Sequence, residues 1–164
     1  MCRQDQLAIP NRRDTVTQDS SSAEREIARA HYGYAYALDT RDWAQLDAVF
    51  DESAQAHYGP GIDLSGREAI VRSIRSFLDH CGPTQHLIGN LDINIQGERA
   101  NARCYIRAHH LERDSASPKS YEAFGRYESV WLQGPAGWRV TDWTMTVTHE
   151  VGSREVLGLR ATEA

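Results

Sequence analysis

Residues 85–112 read QHLIGNLDINIQGERANARCYIRAHHLE, and their pattern decides the fold. Gln85–Gln96 forms one strand, Gly97-Glu98 turns the chain, and Arg99–Glu112 returns beside it. In the returning arm Ala100, Ala102, Cys104, Ile106 and Ala108 share one parity, and all are small or apolar. Their alternates, Asn101, Arg103, Tyr105, Arg107 and His109, are polar or amphipathic. A period of two therefore turns the even positions inward and makes His110 the next inward residue, with His109 facing away. The outgoing arm conflicts with itself. Leu87, Leu91, Ile93 and Ile95 share the apolar parity, and His86 falls on the other one. A bulge at Gly89-Asn90 would reverse the phase and bring His86 inward.

Two more strands follow. A polar loop over Asp114–Ser120 leads into Tyr121–Gln133, and Gly134-Pro135-Ala136-Gly137 turns into Trp138–Glu150. In the last strand Trp138 and Val140 occupy one parity, while Trp143, Met145 and Val147 occupy the other. Either a bulge shifts the phase or both faces are covered. The second alternative predicts burial of the outer face against another copy of the chain.

Upstream the periodicity is helical. Ser22 and Glu24 suit a helix start, and Ile27, His31, Tyr34 and Leu38 recur at helical spacing up to Asp39. Trp43, Leu46, Val49 and Phe50 predict a short second helix. A brief strand is expected near Gln55–Tyr58, before the turn Gly59-Pro60-Gly61. Ser65-Gly66-Arg67-Glu68 opens a third helix with Ile70, Ile74, Phe77 and Leu78 on one stripe, stopped at Cys81-Gly82-Pro83. Helices first and a long antiparallel meander afterwards define an α+β domain. Residues 1–22 are polar and are expected to form a flexible leader, residues 23–152 the domain, and residues 153–164 a tail.

At 164 residues the chain fits one domain that can build a core without disulfides or metal. Its 40% hydrophobic and 25% charged residues are ordinary for a globular protein. A net charge of -5 with scattered basic residues argues against nucleic acid as a partner. No apolar run is long enough to cross a bilayer, and the first residues lack an apolar signal core. Cys2, Cys81 and Cys104 are odd in number and lack zinc-like spacing, which points to reduced thiols and a cytoplasmic location.

No phosphate-binding glycine loop, HExxH, GxSxG or CxxC pattern occurs. The chemistry must come from isolated ionisable residues on core-forming elements. Asp39 ends a helix, where a carboxylate meets the negative end of the helix dipole. A solvated helix-end aspartate would look the same. His86 opens a strand, and a surface histidine is its bland alternative. His110 stands on the inward row, where a hydrogen-bonded core histidine would also fit. Adjacent His109 and His110 face opposite ways and cannot share one metal, so no metal site is expected.

Several short motifs occur in a telling order: Tyr34-x4-Asp39-x2-Asp42-Trp43, Gly66-Arg67-Glu68-Ala69-Ile70, Thr84-Gln85-His86-x3-Asn90, Ala100-x-Ala102, and Gly137-Trp138-Arg139-Val140. Together they resemble the SnoaL-like family of the NTF2-like superfamily, in the branch of scytalone dehydratase, hexachlorocyclohexane dehydrochlorinase and bile-acid 7α-dehydratase. The resemblance runs from about Glu24 to Glu150. It implies a cone in which a curved antiparallel sheet wraps around helices and leaves an apolar pocket at one end. It also implies a homo-oligomer, dimer or trimer, joined through the sheet.

In those enzymes an aspartate ending the first helix and a histidine opening a sheet strand form the catalytic pair, and Asp39 and His86 match them. Tyr34 matches an assisting tyrosine, and His110 is the nearest equivalent of a second histidine. Tyr34 and Asp39 are about 140° apart on an ideal helix, so their convergence would need a distorted last turn. Ile106, Ala108 and Trp43 are the expected apolar contacts for substrate. The resemblance implies a cofactor-independent lyase, isomerase or polyketide cyclase of the dehydratase type, acting on a hydrophobic cyclic or polyketide-like molecule. It equally covers non-catalytic binding proteins and oligomerisation partners such as the small subunit of ring-hydroxylating dioxygenases.

Overall fold

The computed structural model describes residues 12–159, with side chains from Ser20 onward. Helix α1 (Arg12–Thr40) is followed by a short 3-10 helix (Trp43–Ala48), β1 (Phe50–His57), β2 (Asp63–Ser65) and α2 (Arg67–Leu78). Four long strands complete the chain: β3 (Cys81–Gln96), β4 (Arg99–Glu112), β5 (Ser120–Gly134) and β6 (Gly137–Gly152), with a final 3-10 turn at Arg154–Leu157. Helix α1 begins at Arg12 rather than near Ser22, so the expected leader is helical over its second half. Residues 1–11 of that leader and 160–164 of the expected tail lie outside the described residues. The rest of the tail folds back, and Val156 is buried.

The six strands form one open sheet in the order β2-β1-β6-β5-β4-β3. The β3–β6 meander is antiparallel throughout, as its turn signals require. One junction departs from that pattern: β1 pairs with β6 in parallel, because the chain crosses the whole sheet before β6 returns beside β1. The inner face of β4 carries Ala100, Ala102, Cys104, Ile106, Ala108 and His110, all buried, as the parity of the sequence requires.

Bulges settle both conflicts of parity. Between Gly89 and Asp92, β3 holds one residue more than the facing segment of β4, and Asn90 takes a positive φ of 53°. His86 and Ile88 face inward before this bulge, and Leu91, Ile93 and Ile95 face inward after it. Leu87 is exposed on the outside. A second bulge, at Thr141 in β6, shifts the phase between Val140 and Asp142. Trp138, Val140, Trp143, Met145 and Val147 therefore all belong to the core side. The prediction that Trp143, Met145 and Val147 cover an outer face is overturned, and with it the physical argument drawn from them for a covering second copy. A third bulge, at Thr148, lies opposite Gly125. A side chain at Gly125 would collide with the Thr146 carbonyl, so only glycine admits this close approach of β5 and β6. Extra residues on one strand bend and twist the sheet, which curls it around α1 and α2.

Candidate functional site

The residue that ends α1 and the residue that opens the inward row of β3 meet. Asp39 Oδ1 accepts a hydrogen bond from His86 Nδ1 at 2.7 Å, and Asp39 Oδ2 accepts one from the His86 backbone N–H at 2.9 Å. Thr84 Oγ1 donates to Asp39 Oδ1 at 3.0 Å and itself accepts from Arg41 Nη1 at 2.8 Å. Arg41 ends the helix with a positive φ of 61° and also donates to the carbonyls of Leu38 and Gly82. These bonds stitch the end of α1 to the start of β3. The side chains of His86 and Asp39 are 7% and 21% exposed, so the contact is largely withdrawn from water. Burial alone would raise the Asp39 carboxyl, but the hydrogen bonds from the His86 ring, its N–H and Thr84 outweigh it and hold the group below the ordinary carboxylate value. With Nδ1 committed to Asp39, Nε2 is the ring nitrogen left free.

His86 lines a half-open cavity of about 980 Å³ between α1, α2 and the inner face of the sheet. His110 stands beside it, with ring centroids 5.3 Å apart and planes perpendicular. Burial, reinforced by the neighbouring His86, depresses the His110 pKa to about 4, so this imidazole is neutral at pH 7. Its Nδ1 donates to the Tyr121 carbonyl at 3.4 Å. Tyr34 also faces the cavity, and its hydroxyl lies 3.1 Å from that of Tyr58. Burial pushes both phenols far up, so both keep their protons. Helix α1 stays regular through Thr40, Tyr34 faces the cavity directly, and Asp39 reaches it only through His86.

Of the expected substrate contacts, Ala108 lines the cavity, whereas Ile106 and Trp43 are not among its lining residues. Ile106 is buried in the core, and Trp43 carries the Arg75 guanidinium 5.9 Å from its ring. Sequence reasoning missed Thr84 and Arg41 as supports, and Tyr58, Tyr121 and Glu150 as cavity residues. Thr84 belongs to the Thr84-Gln85-His86 motif. Arg41 directly follows α1, and Tyr58, Tyr121 and Glu150 sit at or beside strand ends, where sequence periodicity carries least signal.

Among the described residues no cluster of three or more His, Cys, Asp or Glu is gathered for a metal. No helix among them is long and apolar enough to cross a membrane. Cys81 and Cys104 are free thiols, and burial raises both, Cys104 to about 11.

The SnoaL-like domain profile matches residues 19–144, which is most of the chain. Several solved structures share the fold. A candidate scytalone dehydratase from Novosphingobium aromaticivorans DSM 12444 is 22% identical with a TM-score of 0.76, covering 84% of this chain and 91% of its own. The Kfla4162 protein from Kribbella flavida is 16% identical with a TM-score of 0.76, covering 85% and 99%. The hexachlorocyclohexane dehydrochlorinase LinA type 2 is 13% identical with a TM-score of 0.72, covering 85% and 93%. No curated protein matches the chain by sequence. Profile match and architecture agree: the chain belongs to the SnoaL-like family and has the NTF2-like fold.

Proposed function

We propose that the chain is a lyase or isomerase that starts its reaction by removing a C–H proton from a hydrophobic cyclic molecule, with His86 as base and Asp39 as its partner. The observation that carries this reading is the 2.7 Å contact of Asp39 with His86 Nδ1 at the wall of a large, mostly apolar cavity. Structural relatives described as dehydratases and a dehydrochlorinase support the same reaction class.

Asp39 fixes the tautomer with Nδ1–H, so the lone pair of Nε2 meets the substrate, and the carboxylate stabilises the imidazolium once the proton has moved. In an elimination the C–H electron pair becomes the new double bond through an enolate whose oxygen is held by the Tyr34–Tyr58 hydroxyls. The His86 imidazolium returns its proton to the departing hydroxyl, which leaves as water, and the neutral base is restored. His110 does not supply that proton: burial keeps it neutral, and its N–H already serves the Tyr121 carbonyl. In an isomerisation the same proton returns to another carbon. Neither course consumes an oxidant or a reductant.

The proton-transfer step can be read before the natural substrate is known. Wild-type protein should accelerate exchange of the α-protons of 4-methylcyclohexanone in deuterium oxide, followed by NMR, and Asp39→Asn and His86→Ala should each abolish the acceleration. Exchange at the wild-type rate in both variants would defeat the assignment.

A further inference from the structure

The sheet register places a second polar pole opposite His86. Reading across the inner face, His86 pairs with Ala108, Ala108 with Ala123, and Ala123 with Glu150. Four strands spaced ~4.8 Å apart put the outer two residues of that row roughly 14 Å apart along the curved sheet. Only two methyl groups lie between them, and all four residues line the cavity. The neighbouring row runs His110, Tyr121, Gly152 and adds the Tyr121 phenol to the far pole.

That pole has a definite hydrogen-bonding sense. Tyr121, buried except for 5% of its surface, donates its hydroxyl to Glu150 Oε1 at 2.6 Å. Arg154 donates to both carboxylate oxygens of Glu150, with its Nη2 at 2.6 Å from each. The Arg154 hydrogen bonds, against some burial, hold Glu150 below the ordinary carboxylate value, so it stays ionised. Burial and Glu150 together raise the Tyr121 phenol, so it stays protonated. With its proton given to Glu150, the phenol oxygen offers only lone pairs, as the carboxylate does. An ion pair already closed on itself leaves no net charge for a ligand to neutralise.

We propose, on the footing of the reading above, that Tyr121 and Glu150 are specificity-determining residues. They accept a hydrogen bond from a hydroxyl group of a neutral cyclic substrate whose ring lies over Ala108 and Ala123, with its opposite edge toward His86. Ethers and carboxylates lack the proton this pole requires.

The test is binding, measured by calorimetry at pH 7 with 4-propylphenol, its methyl ether 4-propylanisole, and 4-propylbenzoate. Wild-type protein should bind the phenol roughly ten-fold more tightly than either analogue, the effect of one hydrogen bond in a partly desolvated site. Tyr121→Phe and Glu150→Gln, checked for an unchanged melting transition, should each shrink that preference, and Ala123→Val should weaken all three probes by filling the floor. Equal affinity for the phenol and its ether in the wild type, or an undiminished preference in both pole variants, would overturn the proposal. Tighter binding of 4-propylbenzoate would assign the pole to the Arg154 cation and overturn it as well. Binding is read without turnover, so failure here leaves the proton-exchange test of Asp39 and His86 standing, and the reverse holds too.

Discussion

Two halves of the same pair of strands, β4 and β5, have opposite character. Toward the β3–β4 turn, small residues of β4 face large ones of β5: Ala100 pairs with Trp131 and Cys104 with Tyr127. Toward the other end Ala108 faces Ala123, small against small. The first half closes into a core in which Trp131, Trp143 and Tyr127 pack against α1 with His31 and Tyr34. The second half cannot fill the space beneath α2 and stays open as the cavity. Size complementarity across paired strands, rather than hydrophobicity, separates core from pocket.

The two halves also use histidine differently. In the closed half His31 is fully buried, donates from Nδ1 to the Ile27 carbonyl at 3.0 Å, and lies 3.4 Å from Ser129 Oγ through Nε2. Both nitrogens are occupied, and the ring packs tilted against Trp131 and Trp143, with centroids 5.0 and 5.5 Å away. In the open half His86 has one nitrogen held by Asp39 and the other free. A buried histidine with two protein partners is a packing element. One with a single carboxylate partner and a cavity on its other side is equipped for chemistry.

The largest expected effect probes the open half. Asp39→Asn and His86→Ala should each lower proton exchange by ~10²–10⁴-fold, and the double variant should be little worse than either single, because the two side chains act as one unit. Additive losses would separate them. Next comes a stability contrast between the halves, read by denaturant unfolding. Trp143→Ala should cost about 3–5 kcal/mol by opening a void in a packed core. Met145→Ala, on a residue that already borders empty space, should cost less than about 1.5 kcal/mol, since it creates no new cavity.

Acid should act on both halves together. Burial lowers His31 and His110 to about 4 from the usual 6.5. Between those two values the unfolded chain binds protons that the folded chain refuses, so stability falls as pH drops from 6.5 to 4 and these groups add nothing further below that. Each imidazole contributes on the order of 3 kcal/mol to that loss. Asp39 is depressed in the fold, so its contribution is present above the ordinary carboxylate value and disappears as pH falls through its lowered one. His31→Phe should flatten the melting-temperature profile between pH 6.5 and 4; an unchanged slope would remove His31 from this account. The smallest effect tests the bulge that turns His86 inward. Asn90→Gly should change stability by under about 1 kcal/mol, whereas Asn90→Val, forced into a left-handed backbone, should cost about 1–2 kcal/mol.

Much of this architecture was legible in the residues. Strand β4 was read to its ends because its small and large residues alternate without interruption. Strands β3 and β6 were harder, since each contains an extra residue that inverts its parity midway. In β3, Gly89-Asn90 and the position of His86 point to the inversion. In β6 the pattern fits a bulge or a covered outer face equally, and the bulge at Thr141 decides for the core. The first turns of α1 escape periodicity because Asp14–Ser22 carry no apolar stripe.

The sequence by itself determined the α+β order, the inward row ending in His110, and Asp39 and His86 as the pair to inspect. The first two follow from local rules, periodicity and turn residues, and the pairing of Asp39 with His86 follows from the resemblance to the SnoaL-like family. Only the tertiary structure decided that Asp39 and His86 touch, that Ile106 and Trp43 stand away from the cavity, and that Tyr121 and Glu150 form its far pole. Those facts depend on register and curvature, which arise from pairing between strands distant in the chain. A single bulged residue reverses every side chain beyond it, and no local pattern records how far a sheet will bend.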